Sequence, residues 1–169
     1  ASCVNSIVQA ITGDGLVTED EDILKTANRE GESWNDIFRK VALDYKLFGG
    51  YALEIIYSRD RTKIAEIYHV DFSHVRAMEK NDRNKIPGYY ISADWKPVWN
   101  YNINKDDKEL PQLPCFNLNK RDEEPKQLLY HNPYRPGQQY YPLPDYVGGS
   151  KVIDLDQEVD NFHISNIKN

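Results

Sequence analysis

The chain has 169 residues, of which 40% are hydrophobic and 28% charged. That length and balance suit one domain with a real hydrophobic core, and they exclude a disordered or membrane-like chain. A net charge of −6 argues against a dedicated nucleic-acid-binding surface, which usually carries a basic excess.

Val4, Ile7, Val8 and Ile11 recur at helix spacing, and Gly13-Asp14-Gly15 is the stop. That triplet superficially resembles a phosphate loop, but it follows a helix and not a strand, so it reads as a helix end. The opening helix carries no basic lead-in of the secretion-signal kind, and no apolar run reaches the roughly 18 residues of a membrane span. Thr18 to Arg29 opens on Glu19, Asp20, Glu21 and Asp22, favourable charges for a helix N-terminus. Ile23, Leu24 and Ala27 supply a thin apolar stripe, so a second helix is predicted there.

Ser33 to Tyr57, SWNDIFRKVALDYKLFGGYALEIIY, is the clearest local pattern. Trp34, Ile37, Phe38, Val41, Ala42, Tyr45 and Phe48 step by three and four, which places them on one helix face. Ser33 is the predicted N-cap, and Asp36 sits at the positive end of the dipole. Gly49 and Gly50 stop the helix, and Tyr51 to Tyr57 reads as a strand.

Thr62 to Val70 completes a hairpin around Ser58-Arg59-Asp60-Arg61. His74 to Glu79 and Gly88 to Ala93 form a second pair around the polar turn Asn81 to Lys85. Residues 94–125 hold four prolines and two charged runs and read as a loop or insertion, with a strand near Val98 to Asn102. Lys126 to His131 returns to a strand, and Asn132 to Pro144 is an extended loop. Ser150 to Asn169 is a helix with Val152, Leu155, Val159 and Phe162 on one face. Helices, then strands, then a helix give an α+β fold: N-terminal helices, a mainly antiparallel β-sheet with long loops, and a C-terminal helix. Residues 1–169 form a single domain. There is no initiator Met and the last helix has no stop signal, so the expectation is a piece of a longer chain.

Catalytic and cofactor motifs are missing: there is no GxGxxG after a strand, no GxxxxGK[ST], no HExxH and no GxSxG. No catalytic, cofactor-binding or metal-binding residues and no cofactor are expected. Of the four histidines, His69 and His74 flank Asp71, a pairing that a hydrolase could use. Catalysis there needs hydrogen-bonding reach of about 3 Å; the plainer reading is polar residues at strand ends. Cys3 and Cys115 lack CxxC partners and read as ordinary reduced thiols, which fits a cytoplasmic folding environment. Asp154, Asp156, Glu158 and Asp160 suggest calcium only superficially, because Leu155 and Val159 interrupt them at helix spacing; a solvated face is the better reading. Twelve tyrosines and three tryptophans are the unusual feature. They cluster as Tyr89, Tyr90, Trp95, Trp99, Tyr101 and as Tyr130, Tyr134, Tyr140, Tyr141, Tyr146. Such rings fill a sheet core or form an interface, and both readings stay open.

With the helix–glycine–strand unit placed, the chain resembles the portal proteins of tailed bacteriophages, in the wing-like region before the stem. The family's D-x-x-x-x-G-x-A/G-x-x-E-I pattern corresponds to Asp44, Gly49, Ala52, Glu54 and Ile55 within DYKLFGGYALEII. Val70 to Arg76 resembles its L-x-P-x-x-V-R step, with Asp71 and Phe72 where proline is expected. YPLPDYVGGS, Tyr141 to Ser150, resembles its entry into the next helix.

The resemblance implies a non-enzymatic structural subunit of a ring, typically a dodecamer, at the capsid vertex. DNA passes through that ring during packaging and ejection, without sequence-specific binding. Implied partners are identical subunits and, through the full-length protein, terminase, capsid and head-completion proteins. The implied location is the virion, and the host cytoplasm during assembly, with no membrane. The stem and clip lie outside this sequence. The alternative function is an aromatic-rich ligand- or carbohydrate-binding module with no catalytic activity.

Overall fold

The computed structural model describes residues 2–95 and 110–168. The fold is α+β, with N-terminal helices, two small antiparallel sheets and a C-terminal helix. Helix α1 spans Ser2–Thr12, and Gly13 leaves it with φ of 47°. Helix α3 spans Trp34–Phe48. Ser33 closes a reciprocal capping box: its hydroxyl accepts from the Asp36 N–H, and the Asp36 carboxylate accepts from the Ser33 N–H. Gly49, left-handed at φ of 82°, ends the helix as predicted.

Between them, the predicted helix over Thr18 to Arg29 shrinks to α2, the four residues Glu21–Leu24. A tertiary contact takes the rest. The Ile67 N–H donates to the Ala27 carbonyl at 3.0 Å, and the Asn28 amide donates to the Ile67 carbonyl at 3.1 Å. Asn28 also accepts from the N–H groups of Glu30 and Glu32, which closes a turn. Residues 27–28 therefore satisfy the outer edge of a strand, and helix propensity yields to that edge.

Strands β1 (Tyr51–Tyr57) and β2 (Ile64–Val70) form the expected hairpin. Strand β6 (Lys126–His131) pairs with the other side of β1, so the first sheet has the order β2-β1-β6. The second sheet, β3-β4-β5, joins β3 (Val75–Ala77), β4 (Gly88–Ile91) and β5 (Gln112–Pro114). β3 and β4 are the expected second pair, only shorter. β5 falls inside the span 94–125 read as loop. Its three residues carry two-residue alternation too briefly to show in a proline-rich stretch. The strand expected near Val98 to Asn102 lies outside the described residues.

Period-two alternation gives the first sheet two different faces. Leu53 and Ile67 pack with Ala27, Ile37, Trp34 and Val41 against α3. Ala52, Leu128 and Tyr130 pack with Phe72, Val75, Tyr89 and Leu113 against the second sheet. The first sheet is thus sandwiched between α3 and the second sheet. After the loop 132–144, a 3-10 turn at Asp145–Gly149 leads into α4, Ser150–Lys168. Every described side chain from 151 to 167 is exposed.

Candidate functional site

The most organised polar cluster sits where α3 meets the turn after β2. Asp44 is buried on α3, and its carboxylate lies 2.7 Å from His69 Nε2 on β2. The same oxygen accepts from the Phe72 N–H at 3.2 Å. Two partners satisfy the buried carboxylate, as burial requires. The arrangement fixes the turn at Phe72–His74 to the helix.

That geometry removes the hydrolase arrangement. His69 pairs with Asp44 and not with Asp71. His74 Nε2 stands 4.0 Å from Asp71, beyond hydrogen-bonding reach. Asp71 instead caps its own turn through the Ser73 N–H at 2.8 Å and the Ser73 hydroxyl at 2.6 Å. Partial burial pushes its carboxyl up, but those two donors outweigh burial and hold it below the usual carboxylate range. Among the described residues, no three His, Cys, Asp or Glu side chains gather as metal ligands. The acidic run of α4 is exposed, as a solvated face predicts. Cys3 and Cys115 are free thiols. Burial raises the Cys115 thiol above its usual value.

The aromatic residues divide between core and surface. Tyr89 is buried and stacks on Tyr130 at 4.6 Å, and Tyr130 stacks on Phe72 at 4.9 Å. Trp95 lies under the Arg76 guanidinium at 5.2 Å. Tyr89 therefore serves the core and presents no face for a ligand to stack on. Trp99 and Tyr101 lie outside the described residues. The second group supplies both core and surface: Tyr134 is exposed, while Tyr141 and Tyr146 line a groove.

That groove, of about 600 Å³, opens between the C-terminal end of α3, the turn at Phe72–His74 and the loop 141–146. Leu47, Phe48, Phe72, Pro142 and Pro144 give it apolar walls, and Arg76 supplies a cation. Tyr146 donates its hydroxyl to the Leu47 carbonyl at 3.0 Å, and Tyr141 accepts from the Ala77 N–H at 3.2 Å. Lys46 and Arg135 both face Asp145 at the rim, at 2.6 and 4.0 Å. Sequence reading identified the tyrosines as a group but missed their groove. The signal was the alternation of Tyr and Pro in YPLPDY; its other wall lies about a hundred residues earlier.

No family model and no curated protein matches the chain. Solved structures do. A chain in the neck of a native GTA particle computed with C12 symmetry aligns over 99% of this chain, with TM-score 0.68 and 13% identity. A chain from the virion of a native gene transfer agent (GTA) particle aligns over 99%, with TM-score 0.70 and 13% identity. A chain in the neck of an empty GTA particle computed with C6 symmetry gives 99%, 0.68 and 11%. The alignments span 41%, 41% and 42% of those chains, so this chain covers about two fifths of their length. The chain has the fold of proteins that build such particles. Among the described residues, no helix is long and apolar enough to cross a membrane.

Proposed function

We propose that residues 1–169 are the wing-like domain of a portal-type ring subunit at the capsid vertex, through which DNA is packaged and ejected. The observation that carries this reading is the likeness over 99% of the chain to chains of particle necks computed with C12 and C6 symmetry. The unit DYKLFGGYALEII supports it from the sequence side. In this reading the domain is a scaffold without enzymatic activity. Identical subunits form the ring, typically a dodecamer. Terminase, capsid and head-completion proteins join through the full-length protein, in the virion and in the host cytoplasm during assembly. The net charge of −6 suits a channel wall. Each phosphate neutralised by a cation releases counterions and strengthens binding, which would hinder sliding DNA.

Native mass measurement of the full-length gene product tests the proposal. A single large ring of uniform size is the expected result. A stable monomer at high concentration overturns it.

A further inference from the structure

We propose that α4 of one copy docks into the Leu47–Phe72–Tyr146 groove of the next copy, head to tail around the ring. The inference rests on the ring reading above and names its contact.

Three observations carry it. First, α4 has a seam that no described residue covers. Val152, Leu155, Val159 and Phe162 fall on one stripe and are 45 to 70% exposed. A surface helix ordinarily buries such a stripe, and most helical stability in proteins comes from packing it rather than from propensity. Second, the groove lies at the root of α4, yet the helix leaves it uncovered. The Tyr146–Leu47 and Lys46–Asp145 bonds hold the turn at Asp145–Gly149 against the end of α3. From there α4 departs with every described side chain from 151 to 167 exposed, so its seam does not cover its own groove.

Third, the charges match. At helical spacing, Asp154 and Glu158 flank the seam on one side and Asp156 on the other. Arg76 lines the groove, while Lys46 and Arg135 share one carboxylate, Asp145, at its rim. An acid-flanked apolar helix and a cation-bearing apolar groove are complementary. Seam and groove are different patches of one chain, so the contact is heterologous, and repetition closes a ring when the rotation allows.

The test uses the full-length gene product carrying Leu155→Cys and Ser73→Cys, oxidised and mapped by mass spectrometry. A disulfide joining positions 155 and 73 of different copies, seen as a ladder of covalent multimers, is expected. A bridge inside one chain, or rings without this bridge, overturns the inference and leaves the ring reading standing. A wild-type product that stays monomeric overturns the ring reading itself. Independently, Phe162→Asp and Arg76→Glu should each weaken assembly at least tenfold while circular dichroism stays unchanged. Rings assembling at wild-type concentration in both variants refute the docking.

Discussion

Gly49 and Gly50 are adjacent and do different things. Gly49 takes φ of 82°, a conformation L side chains rarely adopt. Gly50 does not; it is glycine for lack of room, since a Cβ there would meet the His131 carbonyl at 2.5 Å and Pro142 at 2.7 Å. Gly49 needs glycine both for its left-handed backbone and because a Cβ would run into the Leu143 carbonyl, whereas at Gly50 close approach alone requires it. Asp44 is the other residue whose identity the packing explains. Asp44→Ala leaves His69 and the Phe72 N–H without their acceptor, and urea unfolding should show a loss of about 3 kcal/mol. Asp44→Asn keeps an acceptor oxygen and should cost less; equal costs would show that the hydrogen bonds are not what matters. Tyr89 and Tyr130 give a pH prediction. Burial, the main cause, raises both phenols above their usual value of about 10. The unfolded chain ionises them first, so their contribution is complete below about pH 10 and falls as pH rises further. Thermal melts of Tyr89→Phe/Tyr130→Phe should show a shallower loss above pH 10 than wild type.

At the scale of elements, α3 follows local rules and α2 does not. Ser33→Ala removes half of the capping box and should lower stability by about 1 kcal/mol. Trp34 lies at the edge of the α3 cluster and is only partly buried. Trp34→Ala should therefore cost about 2 kcal/mol, less than the roughly 3–5 of a fully buried ring. A loss of 4 kcal/mol or more in urea titration would contradict the half-buried position. Strand β5 shows the reverse relation. Three residues cannot announce a strand, and Gln112–Pro114 exists because β4 offers its edge. The Cys115–Leu128 bridge then ties this sheet to β6.

On the scale of the whole molecule, the sandwich of α3, the β2-β1-β6 sheet and the β3-β4-β5 sheet is complete without α4. Ending the chain after Gly149 should lower the helical signal in circular dichroism yet shift Tm by no more than about 2 °C, since no described side chain from 151 to 167 is buried. A large drop in Tm would mean that α4 supports the core. The stability of α4 belongs instead to whatever covers its seam.

Much of this architecture was legible in the sequence. The α3–Gly49–β1 unit, both hairpins, β6 and α4 followed from periodicity, caps and turns, because those signals act within a few residues. Only the tertiary structure decided the rest. The α2 segment gave up helix to satisfy Ile67. His69 chose Asp44 over the sequence-adjacent Asp71, and Tyr89 turned inward. The groove formed from Leu47 and Tyr146, about a hundred residues apart. Each of these depends on a partner distant in the chain, whose position no local pattern encodes.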